Sequence, residues 1–349
     1  MPEITEKELK KKIDKSEFSN LYFLYGEEKY MINYYERKIE VKAGAVNFPD
    51  FNFQKFNDSA SIDEIAAAAE ALPFMAETKC VIISDLNVET LRANEMAKLE
   101  ELLENIPETT ILVFYLPFTD INLKKDKKWK KFISLVNKLG LTVNFKKRSN
   151  IELEKVLCSK ALKLGCELSR KNAELIVKYC GNDLQTLMNE VEKLCAFLGQ
   201  GEITSDTIDN IVVKNLETRV YDLSKAILLS NYDKAYRVLD LLFYQNEEPV
   251  SILAVLSSAY IDMYRVRISI QSGYSVMEPV KYFNYARKEF RLTNAERDSK
   301  RFSVPMLHQS LEVLLKADTA LKSSRGDRRV IMEKLIAQLL LIAEKEKIA

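Results

Sequence analysis

The sequence predicts an α/β domain built on a parallel sheet, followed by two all-α domains. Three observations lead there. Between residues 21 and 145, short apolar runs alternate with amphipathic stretches of helical period, the pattern of repeated strand–helix units. After Phe145 the apolar runs stop, and only helical periodicity continues. Glycine (9) and proline (8) are scarce in 349 residues, so long helices can run uninterrupted.

The first strand is Leu21-Tyr22-Phe23-Leu24-Tyr25-Gly26, an apolar run closed by glycine. A helix follows over Lys29–Val41. Period-two alternation predicts a second strand over Phe51–Phe56. Ser61, with Glu64 three residues on, forms a capping box that starts an alanine-rich helix from Ile62 to Ala71. The third strand is Cys80–Ser84, and a helix runs from about Thr90 to Asn105. Thr110–Leu116 is the clearest strand in the chain. A lysine-rich helix from about Lys125 to Leu139 is stopped by Gly140, and Leu141–Phe145 is the last strand. This order predicts parallel strands with helices on both faces.

The polar, basic connection Lys146-Lys147-Arg148-Ser149-Asn150 marks the first boundary. Helices are expected over Ile151–Leu164, Ser169–Tyr179, Leu184–Leu198 and a short Thr204–Asn210. The third of these carries Leu184, Leu187, Met188, Val191 and Leu194-Cys195 at three-and-four spacing. Beyond Leu216 the expected helices are Thr218–Leu229, Tyr232–Tyr244, Pro249–Gln271, Glu278–Tyr285, Lys288–Arg301, Ser303–Leu321 and Arg328–Lys345. Their loops are short and polar, such as Ser323–Asp327, which makes neighbours antiparallel. The expected division is therefore 1–148, 149–214 and 215–349.

Composition narrows the function. Lys+Arg (52) balances Asp+Glu (51), which argues against wrapping nucleic acid with the whole surface and leaves room for a local basic patch. Cys80, Cys158, Cys166, Cys180 and Cys195 form no CxxC pair, and His308 is the sole histidine, so neither a zinc site nor a disulfide framework is expected. The cysteines read as small core residues of a reducing, cytoplasmic protein. The charged start Met1–Glu6 has no apolar core of a signal peptide, and no run of 18 apolar residues occurs. A single histidine gives no basis for a Ser/His/Asp or Cys/His constellation.

In a nucleotide-binding version of the predicted sheet, the loop after the first strand would read GxxxxGK[ST] and cradle phosphate. Here it reads Gly26-Glu27-Glu28-Lys29-Tyr30-Met31, with one glycine and two carboxylates. A phosphate site, and with it a nucleotide cofactor, is not expected.

The Ile62–Ala71 helix meets Leu72-Pro73-Phe74-Met75-Ala76 before the third strand. Pro73 lacks an N–H and clashes with the preceding turn, so the helix cannot pass it. Leu72, Phe74 and Met75 then lie at or beyond a helix end, as core residues or as a protruding apolar wedge. Farther on, Lys124, Lys125, Lys127, Lys128, Lys130 and Lys131 surround Trp129. That run is either a solvated helix face with Trp129 packed inward or a patch that tracks DNA phosphates. Tyr282, Phe283 and Tyr285 read as core, and His308 as a helix-surface residue.

Several stretches, in order along nearly the whole chain, resemble one family: the delta subunit of the bacterial DNA polymerase III clamp loader. They are Leu21–Ile32, Leu72–Ile83, Gly181–Leu194 and Ala317–Ser323. The resemblance implies a degenerate relative of P-loop ATPase modules that neither binds nor hydrolyses ATP. It implies a small lid-like helical domain and a C-terminal collar domain that assembles with the ATPase and delta-prime subunits. It also implies that Leu72, Pro73, Phe74 and Met75 bind the sliding clamp and help open it for loading onto primer–template DNA in chromosomal replication. The competing reading is a nucleotide-dependent ATPase of the same fold.

Overall fold

The five apolar runs form one parallel sheet in the computed structural model, which describes residues 3–44, 48–286, 288–323 and 326–348. Met1 and Pro2 of the charged stretch Met1–Glu6, and Ser324 and Arg325 of the loop predicted over Ser323–Asp327, lie outside the described residues. The strands are β1 (Leu21–Gly26), β2 (Phe53–Phe56), β3 (Lys79–Ser84), β4 (Thr110–Tyr115) and β5 (Leu141–Phe145), in the order β2-β3-β4-β1-β5. Phe53 pairs with Cys80, Lys79 with Thr110, Leu21 with Leu112, and Tyr22 with Leu141.

The helices among them are α1 (Glu6–Asp14), α2 (Lys29–Ile39), α3 (Pro49–Asn52), α4 (Ile62–Glu70), α5 (Ala93–Glu104) and α6 (Lys127–Leu139). Leu21, Phe23, Val81, Ile83, Leu112 and Phe114 pack with Ile65, Leu99, Leu103, Phe132 and Val136 from α4, α5 and α6. Alternate strand residues point to opposite faces. The buried Tyr22, Leu24, Ile82 and Val113 therefore line the other face, where α2 lies against β1, β4 and β5. Tyr35 of α2 stacks on Phe145, with ring centroids 5.5 Å apart.

Three local expectations need correction. The strand expected from Phe51 begins at Phe53, because Phe51 and Asn52 belong to α3. Pro49, with φ fixed near a helical value, starts that single turn at its favoured first position. The N-terminal helix α1 was not expected; Thr5 and Glu8 form its capping box. The helix expected over Glu278–Tyr285 is only a 3₁₀ turn, Glu278–Lys281. There the Tyr282 N–H already turns back to the Pro279 carbonyl.

Compactness divides the chain into Met1–Val156 and Leu157–Ala349, with the division inside α7 (Asn150–Lys163). The second unit is helical except for one short parallel strand pair, Cys166–Glu167 with Gly201–Glu202, that the all-α expectation lacked: α8 (Arg170–Cys180), α9 (Leu184–Leu198), α10 (Ser205–Ile211), α11 (Leu216–Leu228), α12 (Tyr232–Tyr244), α13 (Pro249–Gln271), α14 (Phe290–Ser299), α15 (Val304–Ser323) and α16 (Arg328–Ile348). The predicted α9 stripe, Leu184 to Cys195, is buried. Helices α11 to α16 share a core of their own, including Leu223, Leu239, Leu256, Leu307 and Leu339.

Four of the five cysteines behave as small core residues, and Cys158 is half-buried. Cys80, Cys166, Cys180 and Cys195 are buried. Burial pushes the thiols of Cys80, Cys180 and Cys195 up to about 12, which keeps them protonated at neutral pH. His308 is exposed on α15, 3.5 Å from Glu312 one turn on. The core reading of the aromatic cluster holds for Tyr285 alone, since Tyr282 and Phe283 are exposed. Tyr285 is drawn inward by its hydrogen bond to the buried Asp262.

Candidate functional site

The helix-to-strand corner is apolar, exposed and held by buried polar side chains. Helix α4 ends at Glu70, and Ala71 leaves the helical region at φ −62°, ψ 135°. It ends ahead of Pro73 because the residue before a proline is also pushed out of the helical region. Thr110 Oγ1, fully buried at the start of β4, donates to the Ala69 carbonyl at 2.7 Å. One carbonyl left unpaired by the helix end is thus satisfied and tied to the sheet.

Beyond that anchor the chain turns outward. Leu72 is 82%, Phe74 45% and Met75 73% exposed, and Pro73 is half-buried. Met75 has φ +48°, the left-handed region that costs a non-glycine residue energy. The Phe74 ring is not alone. Phe51 lies 4.9 Å from it, and Phe48 5.6 Å in an edge-on arrangement. Both are themselves exposed, so five apolar side chains, Phe48, Phe51, Leu72, Phe74 and Met75, crown this corner. A solvent-facing group of large apolar residues on a pinned backbone is a surface suited to docking.

The corner precedes β3, Asn52 precedes β2, and Thr110 begins β4. All lie at the edge where the parallel strands start. The loop in which phosphate would be expected lies at the other edge, after β1. There Gly26 has φ +133°, and a Cβ on it would come within 2.4 Å of the Phe145 carbonyl oxygen. The Glu28 N–H donates to that same carbonyl at 2.9 Å, so the end of β5 closes the turn. Lys29 Nζ donates to the carbonyls of Thr119 at 2.6 Å and Leu116 at 3.2 Å, and pairs with Asp120 at 2.9 Å. Asp85 Oδ1 accepts the Phe118 and Thr119 N–H groups of the same loop. The lysine of this turn is used to hold a neighbouring loop.

The family model described as "DNA polymerase III, delta subunit" matches residues 22–145. That for the "DNA polymerase III delta subunit, C-terminal domain" matches residues 217–339. The two together take in well over half of the chain. The chain belongs to the DNA polymerase III delta-subunit family. The resemblance read from Leu21–Ile32, Leu72–Ile83 and Ala317–Ser323 falls within these matches or at their margin.

This delta-family chain is 26% identical to the DNA polymerase III subunit delta of Bacillus subtilis, over 96% of its own length and 97% of the relative's. It is 23% identical to a probable DNA polymerase III subunit delta of Aquifex aeolicus, over 80% and 82% of the two chains. Its fold is similar to that of the Bacillus subtilis DNA clamp loader delta protein, with a TM-score of 0.62, 24% identity, and coverage of 96% and 99%. As a family member the chain is a subunit of the DNA polymerase III machinery of DNA replication.

The basic run of this delta-family chain separates into two sets. Trp129 is buried, stacked at 5.7 Å on Phe23 and edge-on to Phe132 at 5.8 Å, as the inward-packing reading expects. Lys128 Nζ donates to the carbonyls of Leu91 at 2.7 Å and Glu89 at 2.8 Å, and Lys131 pairs with Glu100 at 2.7 Å. Lys124, Lys125, Lys127 and Lys130 are exposed and form no ion pair with a described residue. Of the neighbouring basic residues, Arg148 is tied to Glu6 at 2.8 Å, while Lys146 and Lys147 are exposed. Among the described residues no helix is long and apolar enough to cross a membrane, and no cluster of His, Cys, Asp or Glu is placed to hold a metal ion.

Sequence reasoning singled out Leu72, Pro73, Phe74 and Met75 and missed Phe48, Phe51 and Asn52. The signal that pointed to them was Phe48-Pro49-Asp50, a proline placed to open a helical turn.

Proposed function

We propose that this chain is the clamp-loader subunit that binds the sliding clamp through Leu72, Pro73, Phe74 and Met75, and helps open it for loading onto primed DNA. The observation that carries the reading is the exposure of these apolar side chains on a backbone pinned by Thr110 and Asn52. The sliding clamp is the partner that the family resemblance implies. The corner lies at the strand-start edge, away from any nucleotide chemistry at the other edge.

The subunit acts by contact and not by catalysis in this reading. The occupied Lys29 and the closed Gly26 turn support it, because both groups that would hold phosphate are otherwise engaged. The three-part division, 1–148, 149–214 and 215–349, belongs to the same proposal. The separate core of α11 to α16 supports a third domain that joins the ATPase and delta-prime subunits. The exposed Lys124, Lys125, Lys127 and Lys130 are the proposed contacts to primer–template DNA in the assembled loader. The compartment is the cytoplasm.

The test is capture of the purified chain on the immobilised sliding clamp. Phe74→Ala/Met75→Ala is expected to abolish capture while its thermal midpoint stays near the parent's. Undiminished capture overturns the assignment, and loss of folding returns these side chains to the core.

A further inference from the structure

We infer that Asn52 is a positioning residue for the Phe74 anchor, acting as a side-chain latch on its backbone. The inference rests on the clamp-binding reading above and adds the residue that sets the anchor's place. Asn52 Oδ1 accepts the Phe74 N–H at 2.6 Å, and Asn52 Nδ2 donates to the Phe74 carbonyl at 2.8 Å. One amide side chain thus satisfies both backbone groups of the residue that presents the anchor ring. Asn52 is 2% exposed, although it lies beneath one of the most exposed segments of the chain.

Asparagine suits this position by its chemistry. Its amide offers a donor and an acceptor side by side, as a backbone strand neighbour would. Residues 71–78 form neither helix nor strand, so Phe74 has no ladder partner there, and a backbone group without one is costly when shielded from water. The latch fills that need for one residue. Asn52 also closes the α3 turn through its own N–H, which donates to the Phe48 carbonyl at 3.1 Å. The turn that carries the latch therefore also carries Phe48 and Phe51 against the Phe74 ring. Backbone and ring are fixed by one short segment, 22 residues earlier in the chain.

An anchor ordered before binding loses less freedom on association. The latch is expected to act on affinity through Phe74 and not by touching the clamp. Two measurements on the full-length chain test this. In hydrogen exchange, Asn52→Ala is expected to speed the Phe74 amide about tenfold or more by freeing it from its acceptor, while amides of β3 and β4 keep their rates. An unchanged Phe74 amide overturns the latch whatever the clamp does.

In clamp titrations, Asn52→Ala is expected to raise Kd about tenfold, the scale of re-ordering one anchor and its loop. In a Phe74→Ala background, the same substitution is expected to raise it by less than about twofold. Equal effects in both backgrounds overturn the positioning role. If Asn52→Ala does not fold, Asn52→Leu, which keeps a similar side-chain shape and removes both donor and acceptor, is read by the same criteria. Should Phe74→Ala itself bind the clamp like the parent, the clamp reading falls, and the exchange result alone decides the latch.

Discussion

Replacing Met75 by glycine separates stability from binding at the corner. Met75 holds φ +48° with 73% of its surface exposed. A left-handed conformation costs an L-residue about 1–2 kcal/mol, which glycine does not incur. Glycine's greater freedom in the unfolded chain offsets about 0.5–1 kcal/mol of that relief. The net change in unfolding free energy is therefore close to zero, between about 0 and +1.5 kcal/mol in favour of the variant.

Binding moves the other way. Burying a whole methionine side chain contributes about 1.5–3 kcal/mol. The 73% still exposed leaves roughly 1–2 kcal/mol to be gained on docking. Met75→Gly should then weaken the clamp Kd about 5- to 30-fold. Urea unfolding followed by circular dichroism gives the first quantity, and calorimetric titration with the clamp gives the second. A loss of stability above about 2 kcal/mol, the range for truncating a buried methionine, would show that the side chain packs internally. A Kd within about twofold of the parent's would remove Met75 from the interface. Met75→Val is the control: a β-branched residue is a poor fit to φ +48° and should lower stability.

Four further outcomes are expected. Replacing Lys124, Lys125, Lys127 and Lys130 together by glutamine should weaken DNA binding of the assembled loader and flatten its salt dependence by up to about 0.9 for each phosphate no longer neutralised. A slope like the parent's removes the patch, and Lys128→Gln should instead lower thermal stability, since Lys128 holds the Glu89 and Leu91 carbonyls. The purified chain alone should release no phosphate from ATP, and turnover that copurifies with it refutes the contact-only reading. Glu64 sits below its ordinary value of 4.5 because it accepts the Ser61 N–H and hydroxyl. A carboxyl lowered by folding contributes stability that is present above 4.5 and lost as pH falls through the lowered range. Glu64→Gln should therefore soften the acid-side fall of the melting temperature, and an identical pH profile would show that this cap does not couple to folding.

Four strands of the parallel sheet were legible because they are buried on both faces, and such strands read as unbroken apolar runs, whereas the edge strand β2, half-buried, was legible only as alternation. The lone Gly26 and the carboxylates beside it were also legible, since a phosphate loop has a fixed local spelling. The corner was only half legible. Pro73 shows that the helix must end, but which way Phe74 then faces depends on Asn52, and no local pattern links residues 22 apart. Phe51 fits a period-two strand, but Pro49 opens a helical turn that takes it in. The basic run fails for a related reason. Within it Lys127–Lys131 wind about 1.4 turns of α6, so Lys128 and Lys131 reach the Glu89–Leu91 segment and Glu100 while Lys127 and Lys130 face solvent.

The two ends of the sheet are built differently, and the difference bears on how the proposed docking corner is held. In open parallel sheets, ligands bind beyond the carboxyl ends of the strands. In this chain that edge is knitted shut by Gly26, Lys29, Asp85 and the Phe145 carbonyl. Those interactions tie the β1–α2 turn and Asp85 after β3 to the loop after β4 without involving the strand starts. The amino ends are consequently free to hold something else, and they hold the corner: Thr110 grips the end of α4, and Asn52 grips Phe74. Both grips come from residues at or just before the start of a strand, where the backbone direction is already fixed by the sheet. A surface built this way is rigid at its base and apolar at its tip. A charged substitution at the tip, such as Phe74→Asp, should thus act on partner binding, whereas Thr110→Val should act on stability by leaving the Ala69 carbonyl unpaired.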